Sequence, residues 1–368
     1  MRPRQTYLDW NATAPLRPEA VTAVGAALAL GGNPSSVHRR GREARQLVER
    51  SREAVAALVS APADGVVFTS GGTEANHLAL FGSGRERVLV SAVEHSSVLE
   101  AVPDAGRIPV DGNGIVDLAA LTALLASDAR PALVSVMLAN NETGVTQPVR
   151  EIAELAHAHG ALFHCDTVQA IGKIPVSLDE TGADLLTLSA HKTGGPAGIG
   201  ALVIAGGIEV APLSRGGGQE RNRRAGTENL AGIAGFAAAA AACDIAEYQR
   251  IGDLRDRLEA QLLPYAIVIA GTAPRLPNTS AIAMPEVPAE TQIIALDLDG
   301  VMVSAGAACS SGKVGPSHVL AAMGVAPEIA SATIRVSLGW STTEADIAHF
   351  LDAWTALYRR TRGRAKAA

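Results

Sequence analysis

The chain carries Ser189-Ala190-His191-Lys192 at the end of an apolar run, Ala183 to Leu188. A second apolar run, Ala161 to Cys165, ends in Asp166-Thr167-Val168-Gln169. An apolar run closed by polar residues predicts a buried parallel strand that delivers side chains at its carboxyl end. Because open α/β sheets bind ligands at that edge, we expect the two polar ends to form one pocket.

Lys192 and Asp166 are the pair with the clearest chemistry. A lysine that binds pyridoxal phosphate covalently needs an acidic partner for the pyridinium nitrogen of the cofactor. Asp166, as a carboxylate, would keep that nitrogen protonated and let the ring draw electrons from a substrate α-carbon. The sequence therefore predicts Lys192 as the covalent anchor and catalytic amine. Gln169 is placed to hydrogen-bond the phenolic oxygen of the ring.

A phosphate site is predicted at a strand, turn and helix further upstream. Val66 to Thr69 is typical of a strand, Ser70-Gly71-Gly72 of a tight turn, and Thr73 to Leu80 of a helix. Backbone N–H groups at a helix start bind an anion without a formal positive charge. The candidate phosphate ligands are Gly72, Thr73, Ser189 and His191. A glycine-rich connector with an ordinary threonine cap is the alternative interpretation of the turn.

The sequence carries no motif for nucleotide binding and no metal-binding pair of histidines. The sequence has no G-x-x-x-x-G-K-S/T run and no G-x-G-x-x-G run, so neither nucleoside-triphosphate nor dinucleotide binding is predicted. His157 and His159 are two residues apart on a helical pattern and would face different sides of the helix, so no metal site is predicted there.

The composition is that of a globular protein. The chain has 368 residues, 48% of them hydrophobic and 18% charged, which is enough for two domains with a large core. A net charge of -6 argues against broad nucleic-acid binding. No apolar run approaches the about 20 residues that span a bilayer, and three cysteines do not make a disulfide framework. We therefore expect a cytoplasmic protein that binds neither membrane nor nucleic acid.

The order of patterns predicts two domains. Short apolar strands alternate with helices from Val66 to about Ile204, which predicts a mostly parallel sheet flanked by helices. One long helical stretch is predicted from Glu228 to about Leu263, and a mixture of strands and helices follows it. The fold class is α/β, with a large domain at residues 13–250. A smaller α+β domain comprises residues 1–12 and 251–368.

These segments resemble the cysteine desulfurases of the nitrogenase and iron–sulfur-cluster assembly type, which are class V aminotransferases of pyridoxal-phosphate fold type I. The resemblance extends nearly from end to end and includes the lysine and aspartate segments quoted above. The further motifs that carry it are Tyr7 to Thr13, Gly32 to His38, Phe68 to Asn76, Asn140 to Gly144, Arg224 to Thr227, and Ala308 to Gly312.

The resemblance implies roles for several further residues. His95, after the strand Arg87 to Ser91, corresponds to a catalytic histidine that stacks on the cofactor and shuttles protons. Thr227 resembles a threonine donated to the phosphate of the neighbouring subunit, which implies a homodimer. Asn11 and Asn141 are expected at the substrate. Asn141, at the end of a strand predicted from Ala132 to Leu138, is expected at the ring as well.

Arg335 interrupts the apolar strand Thr333 to Ser337. Because a buried arginine without a partner is costly, its position predicts an anionic ligand, and a bidentate pair with the substrate α-carboxylate fits. An inter-domain salt bridge is the alternative.

Cys309 is the candidate nucleophile. It lies in the glycine-rich stretch from Ser304 to Pro316, which is typical of a mobile loop that can carry a thiolate into a pocket and out again. Cys165 and Cys243 lie in a strand and a helix and are interpreted as packing residues. The one metal interaction predicted is a transient ligation of iron–sulfur species by Cys309.

The resemblance implies that L-cysteine is converted to L-alanine, with a persulfide formed on Cys309 and passed to a sulfur-acceptor protein. That acceptor would be an iron–sulfur scaffold or a sulfur carrier. A selenocysteine lyase or another class V lyase or aminotransferase would use the same cofactor pocket and remains an alternative. A catalytically silent homologue that only binds partners is the less favoured alternative from another class.

Overall fold

The structure is a computed structural model that describes residues 4–306 and 316–365. Its strands are β1 (Thr6–Tyr7), β2 (Val66–Thr69), β3 (Arg87–Ser91), β4 (Gly106–Ile108), β5 (Ala132–Ser135), β6 (Leu162–Asp166), β7 (Leu185–Ser189), β8 (Gly200–Ile204), β9 (Ile267–Val268), β10 (Thr279–Ala283), β11 (Val301–Met302), β12 (Ser304–Ala305) and β13 (Thr333–Ser337). Its α-helices are α1 (Pro18–Leu30), α2 (Arg39–Ala57), α3 (Gly72–Gly82), α4 (Ser96–Leu99), α5 (Leu118–Ala126), α6 (Val149–Ala158), α7 (Leu178–Thr181), α8 (Leu230–Ala241), α9 (Ile245–Leu262), α10 (Ala289–Leu298), α11 (His318–Ala322), α12 (Pro327–Ala330) and α13 (Glu344–Ala365).

Seven strands form the large sheet, in the order β2-β8-β7-β6-β5-β3-β4. All pairs from β7 to β4 are parallel, and β8 runs antiparallel to both β7 and β2. The central strands are continuous apolar runs because helices cover both faces of such a sheet. The mostly parallel α/β sheet predicted from the sequence is confirmed.

A second sheet has four antiparallel strands in the order β12-β13-β10-β9. The N-terminal segment lies against it, since β1 pairs with β11 and Asp9 forms a bridge to Ser337. A separate apolar core around Trp354, which is fully buried, includes Leu8 of the N-terminal segment. The division of the chain at residue 250 stays a prediction; that residue lies within α9, whose Tyr248 and later apolar residues pack in this second core.

Three local predictions were wrong. The long helix predicted from Glu228 is two helices, α8 and α9, because Asp244 caps a new helix by accepting from Ala246 N at 2.9 Å. The strand predicted to reach Leu138 ends at Ser135. The stretch from Ser304 begins as strand β12 rather than as a loop, and it pairs with β13.

Among the described residues, no single helix has both the length and the apolar composition needed to cross a membrane. Helices α8 and α9 meet that criterion only when they are taken together, and they are bent by 72° at their junction.

Candidate active site

A cavity of ≈ 320 Å³ lies at the carboxyl ends of β6 and β7. Parallel strands bring their carboxyl ends to one edge, so polar residues at those ends converge there. Most of the site residues predicted from the sequence line this cavity: Asn11, Gly72, Thr73, His95, Asn141, Asp166, Gln169, Ser189, His191, Lys192 and Arg335.

The turn before α3 forms one end of the cavity. Gly71 has φ 155°, a conformation that residues with a Cβ rarely adopt, and it directs the chain into the helix whose first residues are Gly72 and Thr73. A Cβ on Gly200 of β8 would lie 2.7 Å from the carbonyl carbon of Gly71, so glycine allows the close approach of strand and turn. The eleven-residue helix α3 thus begins at the cavity with its N-terminal N–H groups.

His191 completes this end from the lysine segment. Burial, together with the positive charges of Lys192 and Lys173, lowers the pKa of His191 to about 4. The ring is therefore neutral at neutral pH. Any anion at this end would meet neutral hydrogen-bond donors from Thr73, Ser189 and His191 together with the helix terminus.

Lys192 ends a short 3₁₀ turn, Ala190–Lys192, that directly follows β7. Its Nζ donates to the carbonyl oxygen of Asn11 at 2.6 Å and to that of Ala12 at 2.8 Å. The N-terminal segment, far upstream in the sequence, thus holds the amine in the cavity.

A hydrogen-bonded chain leads from Asp166 to His95. Asn76 Nδ2 donates to Asp166 Oδ2 and to Ser97 Oγ, both at 2.9 Å. Ser97 Oγ lies 2.8 Å from His95 Nδ1, which also accepts from the backbone N–H of Ser97 at 3.1 Å. Because Nδ1 is an acceptor, the neutral imidazole carries its proton on Nε2. Burial lowers the pKa of His95, against the opposing charge of Asp166, so the neutral ring is favoured.

Glu94 is a second acid behind Asp166. It is fully buried, and its Oε1 accepts from Ser91 Oγ at 2.7 Å and from the backbone N–H of Met137 at 2.8 Å. Burial, with a smaller contribution from the negative charge of Asp166, raises the pKa of Glu94 to about 8. Two carboxyl groups close together thus differ in their contacts, and one of them is held largely neutral at neutral pH.

Arg335 enters the cavity from β13. It is 2% exposed, and its Nη2 donates to Asp9 Oδ1 at 2.7 Å while Nη1 donates to the carbonyl oxygen of Asn141 at 3.1 Å. The buried arginine therefore has a protein partner, Asp9, in addition to any ligand. This salt bridge joins two segments that the sequence predicts to belong to the same small domain, so it differs from the inter-domain salt bridge considered as the alternative.

Sequence reasoning gave no role to three residues of the site: Asn76, Ser97 and Lys173. Asn76 lies one turn after Thr73, and Ser97 lies two residues after His95. Lys173 interrupts the apolar stretch from Ala170 to Val176, and a charged residue in such a stretch is a usable signal.

Two predicted site residues, Thr227 and Cys309, are not placed in the cavity. Thr227 is exposed and lies outside the cavity of its own chain. Cys309 lies outside the described residues. The described residues on either side of that gap both approach Glu142: Ser317 Oγ donates to Glu142 Oε2 at 2.6 Å, and a Cβ on Gly306 would lie 2.8 Å from the same oxygen.

Comparison with known proteins assigns the family. Residues 6–350 match the model of the aminotransferase class-V family, so the chain belongs to that family. A cysteine desulfurase of Cereibacter sphaeroides is 46% identical over 95% of this chain and 94% of its own length. The cysteine desulfurase IscS of Dictyoglomus turgidum is 40% identical over 98% of this chain and 96% of its own length.

Solved structures agree with these relatives. The NifS-like protein of Rickettsia africae has a TM-score of 0.90 and 36% identity over 96% of this chain and 99% of its own length. A cysteine desulfurase of Thermococcus onnurineus has a TM-score of 0.84 at 25% identity, over 96% of this chain and 95% of its own. The family and the fold class predicted from the sequence are confirmed.

Proposed function

We propose that this chain is a pyridoxal-phosphate-dependent cysteine desulfurase, which converts L-cysteine to L-alanine and transfers the sulfur through Cys309 to an acceptor protein. The observation that carries the proposal is the convergence of Lys192, Asp166 and Arg335 on one cavity. The curated relatives named cysteine desulfurase, at 40–46% identity over most of the chain, support the substrate.

The residues of the cavity fit the cofactor. Asn76 Oδ1 and Arg335 Nε are buried in the cavity lining and have no hydrogen-bond partner among the described residues, which is the arrangement expected where a polar ligand binds. Asp166 would pair with the pyridinium nitrogen and Gln169 with the phenolic oxygen. The phosphate would bind at Gly72, Thr73, Ser189 and His191. When bound, pyridoxal phosphate supplies the electron sink that stabilises a carbanion at the substrate α-carbon.

Lys192 acts as the general base in this proposal. Its Nζ already lies at the carbonyl oxygens of Asn11 and Ala12, and from this position it would take the α-proton of the substrate. His95, neutral and protonated on Nε2, would hold and return protons on the opposite side. Arg335, with Asn141 and Asn11, would bind the α-carboxylate of L-cysteine.

Sulfur transfer is assigned to Cys309. The Cβ–Sγ bond of the substrate breaks and an S–S bond forms to the thiolate of Cys309. The electron pair of the broken bond stays on carbon, which takes up protons and leaves as alanine. Because Gly306 and Ser317 both approach Glu142, next to Asn141 of the cavity, the segment that carries Cys309 begins and ends beside the site.

We also propose the assembly and the location. Thr227, which is exposed and does not line the cavity of its own chain, would reach the phosphate site of a second copy, so the enzyme would be a homodimer. The acceptor would be an iron–sulfur scaffold or a sulfur carrier, and the compartment the cytoplasm.

The test measures alanine and sulfide released from L-cysteine in the presence of a thiol reductant. The wild type should release both in equal amounts, and Cys309→Ser should release neither while it keeps its cofactor absorbance. Cys243→Ser is the matched control, because burial raises the pKa of that thiol to about 11 and it should turn over like the wild type. Alanine formation that survives in Cys309→Ser would instead indicate a selenocysteine lyase or another lyase of the family.

A further inference from the structure

Lys173 is a buried lysine just behind the cavity. It is 2% exposed, it does not line the cavity, and no carboxylate of the described residues forms a salt bridge with it. A buried ammonium without a counter-charge is costly, so a residue of this kind calls for a physical account.

The amine holds one end of the Gln169 amide. Lys173 Nζ donates to Gln169 Oε1 at 3.0 Å and to Asn11 Oδ1 at 3.4 Å. A protonated amine has donors and no acceptor, so the end of Gln169 that meets it must be the oxygen. The NH₂ end is then left for the carbonyl oxygen of Asn11, at 3.0 Å, and for the cavity. Lys173 thereby determines that Gln169 presents a donor to the ligand.

The same Asn11 carbonyl oxygen accepts from Lys192 and from Gln169. Lys173 and Lys192 thus both contact Asn11, Lys173 at the side-chain Oδ1 and Lys192 at the carbonyl oxygen. Burial, together with the positive charges of Lys192 and Arg335 and against the opposing effect of Cys243, lowers the pKa of Lys173 to about 7. Between them, the two amines and Arg335 place three basic groups around this corner of the cavity.

We propose that Lys173 is a positioning residue of the active site, which fixes the orientation of the Gln169 amide and sets the electrostatic potential around Lys192. This inference rests on the proposed contact between Gln169 and the phenolic oxygen of the cofactor. In its protonated form Lys173 disfavours a second positive charge on the neighbouring nitrogen of Lys192, and the oriented amide would stabilise a negative charge on the cofactor oxygen.

The test uses the enzyme loaded with pyridoxal phosphate and two substitutions that separate charge from hydrogen bonding. Lys173→Met removes both, and Lys173→Gln removes the charge but keeps a donor. Both variants should raise the pH midpoint of the change in visible cofactor absorbance, on the order of one pH unit, because a nearby positive charge is lost. Lys173→Met should in addition weaken cofactor binding about tenfold, and Lys173→Gln less, because only the latter can still orient Gln169.

Asn278→Ala is the matched control. Asn278 Nδ2 donates to the same Asn11 Oδ1 at 3.0 Å but carries no charge and does not contact Gln169 in this structure. Its loss should leave the pH midpoint unchanged, and a shift as large as that of Lys173→Met would overturn the charge argument.

Unchanged midpoints and unchanged cofactor affinity in folded Lys173→Met would overturn the proposal. If that variant does not fold, an unchanged midpoint in Lys173→Gln would do so. Gln169→Leu tests the proposed contact between Gln169 and the cofactor by itself. If the cofactor absorbance and cofactor affinity of this variant match those of the wild type, that contact is wrong and the Lys173 proposal fails with it. If Gln169→Leu changes the absorbance midpoint or the cofactor affinity and the Lys173 variants change neither, only the role of Lys173 is overturned.

Discussion

The two walls of the cavity carry opposite charges. The ring wall consists of Asp166, Asn76, Ser97 and His95, with Glu94 behind it. The amine wall consists of Lys192, Gln169, Asn11 and Arg335, with Lys173 behind it. The residues of the ring wall lie on the large sheet and its helices. The residues of the amine wall lie on the large sheet, the N-terminal segment and β13.

On both walls, the pKa of a buried group depends on whether the group has enough charged or hydrogen-bonding partners. On the ring wall, Asp166 accepts from Asn76 and from the backbone N–H of Val168, while Glu94 has a buried Oε2 with no partner among the described residues and a raised pKa. On the amine wall, Arg335 has the carboxylate of Asp9, while Lys173 has only neutral partners and a lowered pKa. Where partners are insufficient, burial moves the pKa toward the neutral form.

The cavity thus separates two tasks. A carboxylate with hydrogen-bond donors suits a protonated ring nitrogen, and a cluster of basic groups suits a substrate carboxylate and an amine that must give up its proton. Substitutions on each wall should therefore fail in different ways.

The largest effect is expected from Asp166→Asn on the ring wall. A neutral amide cannot hold the pyridinium proton by charge, so kcat for alanine formation should fall by ~10²-fold or more, with a smaller change in KM. Steady-state kinetics of the cofactor-loaded enzyme measure this. Glu94→Gln is the matched control, since it removes an acid that does not line the cavity and should stay within a few-fold of wild-type kcat. An equal loss in both variants would break the distinction between the two acids.

A smaller effect of a different kind is expected from Arg335→Lys on the amine wall. Lysine cannot reproduce the planar fork of arginine, so KM for L-cysteine should rise ~10-fold or more with less change in kcat. Asp9→Asn separates ligand binding from ion pairing, because it removes the partner of Arg335 and keeps the guanidinium. KM should not rise in Asp9→Asn. A rise equal to that of Arg335→Lys would mean that the salt bridge, rather than the ligand, explains the buried arginine.

The third prediction concerns stability and pH rather than turnover. The folded-state pKa of Glu94 is about 8 against a usual value of 4.5, so between these pH values the folded chain retains a proton that the unfolded chain has lost. The free energy of unfolding of the wild type therefore falls as pH rises through this window, and each pKa unit corresponds to about 1.4 kcal/mol. Glu94→Gln does not titrate, so its Tm relative to the wild type should rise from pH 5 to pH 8.

Calorimetry at several pH values measures the Tm difference. Lys173→Met gives the opposite comparison: the folded chain binds fewer protons than the unfolded chain between pH 7 and 10.5, so the wild type should gain relative to this variant as pH rises there. A pH-independent difference in either variant would contradict the pKa assigned to that group.

The sequence predicted Asp166 and His95 of the ring wall and the end of the cavity at the turn before α3. Asp166 and Lys192 could be predicted because each comes after an apolar run, and parallel strands place the residues at their carboxyl ends along one edge of the sheet. Asn76 and Ser97 were missed, because their role depends on the distance between α3 and the start of α4, which no periodicity records.

The sequence by itself determined the α/β class, the strand ends that carry Asp166 and Lys192, and the glycine turn before α3, because these depend on local polarity and backbone preference. Only the tertiary structure decided that Asp9 pairs with Arg335, that the Asn11 carbonyl oxygen receives Lys192, and that Lys173 orients Gln169. The first two contacts join residues that are far apart in the sequence, and the third depends on burial by surrounding elements. Such contacts leave no local pattern in the chain, since only packing brings the partners together and removes water from them.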